Sequence, residues 1–172
     1  MRLLGKIHGV ALYREGPNLL PNPSFEVVGP DGLPEGWRRR DYGNRAGNKG
    51  AEWTLVSAAP QVRGGRQALR VITRGDADTS LHADVALKPN TQYRLAGWVK
   101  THTFQGKVSL NLHGARIETD LVRRRDTDWT EVEVEFSSGD RTTTNIGLLH
   151  VARGEALFDD VRLTELTAVD DG

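Results

Sequence analysis

Two segments of the chain carry polar and aromatic side chains at every second position, the spacing that places side chains on one face of a β-strand. In residues 92–100 and 107–113 the outward positions are Arg94, Trp98, Lys100, Asn111 and His113. Sugars bind by stacking on an aromatic ring while planar polar groups take their hydroxyls. The pattern predicts a sugar-binding face, which His82 and His150 could join from neighbouring strands. The alternative is that the tryptophan covers a sheet edge and the polar groups are only solvated.

A second candidate surface lies nearer the start of the chain. Residues 18–50 are rich in Pro, Gly, Asn and Arg and show little periodicity, which predicts a long loop region. Trp37, Tyr42 and Trp53 lie in it or just beyond it, and Tyr42 is the best ligand candidate there. The basic run Arg38–Arg45 is open to two interpretations, contact with an acidic glycan or a solvated surface loop.

Signatures of catalysis are weak in this sequence. The five histidines form no His-x-His or His-x-x-x-His pair, which argues against a cupin-like metal site and a zinc-protease helix. The chain has no Gly-x-Ser-x-Gly turn and no phosphate-binding glycine loop. Glu118 and Asp120 are only two positions apart, without the cleft that a glycosidase pair requires. We therefore expect the chain not to be an enzyme.

The composition indicates one folded domain without a strongly charged partner. The 172 residues include 23 basic and 23 acidic side chains, so no overall field favours nucleic acid or an anionic membrane. With no cysteine, disulfides, thiol catalysis and cysteine-ligated zinc are excluded. No apolar run approaches the roughly 20 residues of a membrane-spanning helix. The first residues lack the features of a signal peptide, so the chain is either cytoplasmic or a piece of a longer exported protein.

The elements that position these side chains are strands, because the dominant period of the sequence is two. Residues 130–136 alternate three apolar positions with three glutamates, as a half-buried strand does. Further strand candidates cover residues 52–57, 67–73, 80–87, 92–100, 107–113, 145–151 and 156–163. Turn residues separate them, and no stretch shows a capped helical pattern. Short strands at this spacing predict an all-β sandwich or barrel.

Several motifs occur in an order that resembles a known family. They cover residues 18–26, 32–37, 64–71, 87–99, 128–132 and 154–161. The chain resembles the jelly-roll carbohydrate-binding modules of the xylan- and glucan-binding type, in the galactose-binding-like superfamily, over residues 18–166. The resemblance implies a jelly-roll β-sandwich of two antiparallel sheets. It also implies that Trp37 and Trp129 have a structural role in packing rather than a role in ligand binding.

The resemblance further implies a structural calcium site where the start of the fold meets its last strand. The implied ligands are the carboxylates of Glu26 and Asp160 and backbone carbonyls at Ser24 and Gly65. Calcium requires six to eight such oxygen ligands at about 2.3–2.6 Å. Two carboxylates held close together repel each other without a cation. The alternative is that Arg63 or Arg66 neutralises the acids.

These observations lead to one functional expectation. The chain is expected to be a non-catalytic module that binds a polysaccharide or oligosaccharide, contacts neither nucleic acid nor membrane, and is tethered to other domains of a larger extracellular or cell-surface protein. The alternative is a structural or protein–protein interaction module without sugar binding. Residues 1–17 are expected to be a linker, the end of a preceding domain or an extra edge strand, and residues 167–172 a flexible tail.

Overall fold

The structure is a computed structural model that describes residues 2–4, 13–43, 46–58, 61–63 and 65–169. The strands are β1 (Arg2–Leu4), β2 (Tyr13–Glu15), β3 (Arg38–Asp41), β4 (Glu52–Val56), β5 (Ala68–Ala86), β6 (Gln92–Leu112), β7 (Ile117–Glu118), β8 (Thr127–Ser137) and β9 (Thr143–Ala168). A 3-10 helix covers Ala46–Gly50. Within the described residues no helix is long and apolar enough to span a membrane.

Three long strands, β5, β6 and β9, run through both layers of the fold, and every pairing is antiparallel. The front sheet has the order β3–β5–β9–β6–β7 and contains residues 77–86 of β5, 143–152 of β9 and 105–112 of β6. The back sheet has the order β4–β5–β9–β6–β8 and contains residues 68–73, 154–166 and 92–102 of the same strands. The hairpin β1–β2 extends the back sheet by pairing with Leu166–Ala168 of β9.

The long strands pass from one sheet to the other where their pairing is interrupted. The register shifts between Thr73 and Ala77 of β5 and between His102 and Gln105 of β6. Gly154 has a φ of +115° at this point, and a Cβ there would overlap the carbonyl of Thr103. Such a conformation with so close a backbone neighbour requires glycine.

The core lies between the two sheets. The front sheet contributes Leu81, Ala83, Val108, Leu110, Ile146 and Leu148, and the back sheet Leu69, Val71, Leu95, Val99, Phe158 and Leu163, all at most 1 % exposed. A Cβ on Gly97 of the back sheet would approach Leu110 Cδ2 of the front sheet to 3.0 Å, so the sheets are in direct contact. This arrangement confirms the predicted all-β jelly-roll sandwich.

The alternation identified most of the strands but not their continuity. The separate candidates at 67–73 and 80–87 are one strand, as are the two in β6 and the two in β9. The expected loop over residues 18–50 contains β3 and the 3-10 helix, and Trp37 within it is buried against Phe25 at 5.8 Å between ring centroids. Residues 167 and 168 belong to β9, while 170–172 lie outside the described residues, as do 1 and 5–12.

Candidate functional site

The outer face of the front sheet carries a row of polar side chains from four of its five strands, and the fifth strand, β9, contributes a glycine. The pairing register aligns Arg38, His82, Gly147, Asn111 and Glu118, one residue from each strand in sheet order. Directly opposite residues of antiparallel strands project to the same face. The neighbouring positions Asp84 and Asn145 are likewise paired on this face. We call this surface the polar face.

An aromatic pair lies on the polar face. The rings of Tyr42 and His113 stack with their centroids 5.8 Å apart, and the Tyr42 hydroxyl lies 3.1 Å from Ser80 Oγ. His113 is exposed and Tyr42 half-buried, so the pair is accessible from solvent. The structure therefore brings together Tyr42, His82, Asn111 and His113, which the sequence had assigned to two alternative surfaces.

A hydrogen-bond network fixes the polar side chains around His82. Arg40 Nη1 donates to Asn145 Oδ1 at 3.0 Å, and Arg40 Nη2 lies 3.3 Å from His82 Nδ1. Asn145 Nδ2 lies 2.9 Å from His82 Nδ1 and donates to Asp84 Oδ1 at 2.9 Å. Arg38 closes the network with an ion pair to Asp84 at 2.8 Å. These contacts hold a set of planar donors and acceptors in fixed positions, as ligand recognition requires.

Sequence reasoning did not single out Asp84 and Asn145, or Arg40 within its basic run. Asn145 begins a strand candidate. Strict alternation along this candidate places Asn145 on the outward side of the sheet and His150 on the inward side. Arg40 lies in β3, which falls within the predicted loop region because Arg38–Asp41 has no apolar residue to show a period of two. This charged edge strand therefore cannot be predicted from hydrophobic periodicity.

The charges of the network determine the protonation of His82. Burial is the largest cause that lowers the pKa of His82, and the guanidinium groups of Arg40 and Arg38 lower it further. His82 is therefore neutral at pH 7, and the two donors that face its Nδ1 leave Nε2 as the protonated nitrogen.

A glycine in the middle of the polar face is packed against the side chain of Asn111. A Cβ on Gly147 would approach Asn111 Oδ1 to 2.5 Å and Ser80 Cβ to 4.0 Å. Gly147 also lies between His82 and Asn111 in the row that crosses the sheet. The space that a side chain would take at Gly147 is therefore filled by the Asn111 amide, whose position depends on this glycine.

Two predicted ligand residues, Arg94 and Trp98, lie on the back sheet, so the prediction that they share a face with Asn111 and His113 is wrong. Arg94, Trp98 and Asn111 belong to β6 and His113 directly follows it, but this strand crosses from the back to the front sheet at its register shift between His102 and Gln105. The outward sides of its two halves are therefore opposite surfaces of the sandwich. Trp98 is half-buried under Arg63, whose Cζ lies 3.6 Å from the ring centroid.

Arg94 is not available to a ligand, because it is only 3 % exposed and forms ion pairs with Glu15, Glu131 and Glu133. Glu15 Oε1 also accepts hydrogen bonds from Thr164 Oγ1 at 2.7 Å and from Arg162 Nε at 3.1 Å. This cluster attaches β2 to the outer surface of the back sheet. A folded protein tolerates a buried charged side chain when that side chain is paired with opposite charges in this way.

His150 also differs from its predicted placement, because it faces the core rather than the polar face. Its side chain is fully buried, with its ring 5.2 Å from that of Phe104 in an edge-on arrangement. Of the other candidates, Trp37 and Trp53 are at most 6 % exposed, and Glu118 accepts a hydrogen bond from Ser109 Oγ at 2.8 Å.

The two segments assigned to calcium lie side by side. Val161 N donates to the carbonyl of Pro23 at 3.1 Å, and Ser24 Oγ donates to Asp160 Oδ1 at 2.6 Å. Glu26 Oε1 accepts the backbone N–H of Arg66 at 2.7 Å, and a Cβ on Gly65 would overlap this carboxylate. Gly64 of the same turn lies outside the described residues.

An arginine neutralises one of these acids, since Arg63 Nη1 forms an ion pair with Asp160 Oδ2 at 2.8 Å. Both Phe25 and Asp160 have positive φ values, 58° and 46°, which places strained backbone on both segments. Among the described residues, no group of three or more His, Cys, Asp or Glu side chains is arranged to hold a metal ion. The oxygen donors fit a hard cation only if Arg63 releases Asp160, so calcium stays a prediction.

The chain belongs to a carbohydrate-binding family. The sequence model of the family described as "Carbohydrate binding domain" matches residues 17–153, most of the chain. This match confirms the family resemblance and, with it, the class of protein expected from the motifs. No curated protein matches the chain in sequence.

Solved structures of similar modules share the fold. A TmCBM61 structure in complex with β-1,4-galactotriose has a TM-score of 0.61 and 22 % identity, over 87 % of this chain and 99 % of that one. The CBM22-1 xylan-binding domain of Xyn10C from Paenibacillus barcinonensis has a TM-score of 0.57 and 17 % identity, over 85 % and 93 %. The CBM22-1–CBM22-2 tandem of the same protein has a TM-score of 0.60 and 17 % identity, over 91 % and 47 %.

Proposed function

We propose that the polar face of the front sheet binds a polysaccharide or oligosaccharide without cleaving it. The observation that carries the proposal is the row of planar polar side chains from four strands of the front sheet, with the Tyr42–His113 pair beside it. An aromatic surface takes the apolar face of a sugar ring, while amide, imidazole and guanidinium groups bind its hydroxyls. The family match and the galactotriose and xylan-binding titles of structurally similar modules support this class of ligand.

The chemistry of the polar face favours binding over hydrolysis. A glycosidase needs one carboxyl group with a raised pKa to protonate the leaving group. The pKa of Asp84 is lowered instead, by the hydrogen bond from Asn145 and by the Arg38 guanidinium, which outweigh the opposing effect of desolvation. Asp84 is therefore ionised at neutral pH and serves as an acceptor.

A polysaccharide and glycan-array screen tests the proposal, with folding verified by circular dichroism. Tyr42→Ala and Asn111→Ala are expected to weaken binding of every positive glycan at least tenfold at unchanged fold. Lys100→Ala, on the back sheet, is the matched control and should bind as the unaltered protein does. Silence of the folded protein across a broad screen would instead favour a structural or protein–protein interaction module.

A structural Ca²⁺ beside Glu26 and Asp160 is part of the proposal. It is supported by the oxygen-rich contact between residues 24–26 and β9 and by the strained backbone on both sides of it. Thermal unfolding with calcium and with chelator tests the site, together with Asp160→Asn. Calcium should raise the melting temperature of the unaltered protein only; equal curves would leave Arg63 as the counter-ion.

The domain is further proposed to act while tethered in a longer extracellular or cell-surface protein, where it would raise the local concentration of a linked domain on a polysaccharide. The tandem arrangement of the similar Xyn10C modules supports this role. Immunodetection of the full-length protein in secreted, surface and cytosolic fractions of the cells that encode it is the test. A purely cytosolic signal would contradict the proposed location.

A further inference from the structure

The basic run of β3 is divided between two sides of the front sheet. Arg38 and Arg40 project onto the polar face, where their partners in register are His82 and Ser80. Arg39 projects to the other side and bonds to Asp41 Oδ1 at 3.1 Å and to the carbonyl of Asn48 at 2.9 Å. The three arginines therefore have different environments despite being adjacent in sequence.

Among the described residues, a carboxylate partner is found for only one of the two arginines on the polar face. Arg38 forms its ion pair with Asp84. Arg40 is half-buried, and its hydrogen bonds run to the side chains of Asn145 and His82, which are both neutral. Within the described part of the chain, Arg40 forms no ion pair with a carboxylate. A cation that is partly removed from water gains from a counter-ion.

The free N–H donors of Arg40 indicate which chemical group would act as its counter-ion. A guanidinium carries five N–H donors in a planar fork, and the two contacts of Arg40 leave donors for a further acceptor. A planar carboxylate matches this fork with two parallel hydrogen bonds and neutralises it. The hydroxyl groups of a neutral sugar accept hydrogen bonds but leave the charge in place.

We propose that the polar face prefers a polysaccharide that contains uronic acid residues, with the sugar carboxylate bound by Arg40. This inference rests on the proposed function, because it assigns a ligand class to the same surface. It also chooses between the two interpretations of the basic run, contact with an acidic glycan and simple solvation.

The test compares ligands that differ only in charge: oligogalacturonides and their methyl esters, measured by calorimetry at pH 7. The acid form is expected to bind at least tenfold more tightly at low ionic strength, and the difference should shrink with added salt. Arg40→Gln should remove this preference and Arg40→Lys should keep part of it. Arg39→Gln removes the same charge from the other side of β3 and should keep all of it.

Each other outcome overturns the inference in a recognisable way. Equal binding of acid and ester, or a preference that survives in Arg40→Gln, rejects Arg40 as the carboxylate site. An equal loss in Arg39→Gln would mean that net charge alone attracts the polymer. Binding of neutral glycans but not of oligogalacturonides rejects the inference and keeps the proposed function, whereas binding of no glycan rejects both.

Discussion

The guanidinium of Arg63 lies over the indole ring of Trp98, with Cζ 3.6 Å from the ring centroid, and the same arginine forms an ion pair with Asp160. Trp98 therefore connects the surface of the back sheet to the contact between residues 24–26 and β9. A cation over the ring occupies the side on which a sugar would stack. This geometry makes Trp98 a structural residue rather than a ligand contact.

Replacing Trp98 by alanine should lower stability and leave glycan binding intact. The lost cation–π contact and the lost burial of a half-covered ring predict a decrease of about 2 kcal/mol in the free energy of unfolding. Urea unfolding and calorimetry with a positive glycan measure the two effects. Loss of affinity in a variant of unchanged stability would show that the ring contacts the ligand after all.

Removing the charge of Arg94 should be among the most damaging single changes on the back sheet. Arg94→Met leaves the buried carboxylate of Glu15 with fewer partners, and breaking a buried ion pair costs about 3 kcal/mol. The double variant with Glu15→Gln should recover part of this loss, because the buried carboxylate of Glu15 is then removed as well. Urea unfolding of the single and double variants measures the coupling; additive losses would contradict it.

The sequence predicted the sandwich well and the site only partly, for a reason visible in β6. Alternation fixed which side of each half-strand faces the core, and residues 93, 95, 108 and 110 are buried as expected. It could not show that the strand continues from Trp98 to Asn111 through a register shift and changes sheet on the way. Periodicity predicts which side of a short segment faces the core. Whether two distant residues of one strand lie on the same surface depends also on strand pairing and on bends of the strand.

The stability of the protein should decrease on mild acidification because of His150. Burial lowers the pKa of this histidine to about 4, and its Nε2 donates to the carbonyl of Gly154 at 3.2 Å. Its Nδ1 is buried and has no hydrogen-bond partner among the described residues. Below pH 6.5 the unfolded chain binds a proton that the folded chain does not. The contribution of neutral His150 to the free energy of unfolding is therefore complete above pH 6.5. It is lost towards pH 4, by up to about 3 kcal/mol.

A matched variant separates His150 from the other acid-sensitive groups. His150→Gln keeps an amide donor for Gly154 but does not titrate in this range. Urea unfolding between pH 7.5 and 4.5 should show a smaller decrease in stability for the variant than for the unaltered protein. Parallel curves would mean that His150 is protonated in the folded state without cost.

Adding a side chain at Gly147 should affect binding more than folding. A Cβ there would come within 2.5 Å of Asn111 Oδ1, which is the end of a side chain that can rotate away. Gly147→Ala is therefore expected to fold with nearly unchanged stability and to lose about tenfold in glycan affinity, because the amide is displaced and the backbone is covered. Gly16→Ala, beside the back sheet and with no atom closer than 3.5 Å to its Cβ position, is the control for a glycine change. Full affinity in Gly147→Ala would place the ligand elsewhere.

The three strands that run through both layers have a mechanical consequence. Because β5, β6 and β9 contribute to the front and the back sheet alike, separating one layer would remove strands from the other. The two layers therefore have no independent route to unfolding, and tension on a bound polymer would be carried along covalent chain from the polar face into the opposite sheet. Backbone amides of β5, β6 and β9 in both layers should consequently show one common, high free energy of opening in hydrogen exchange.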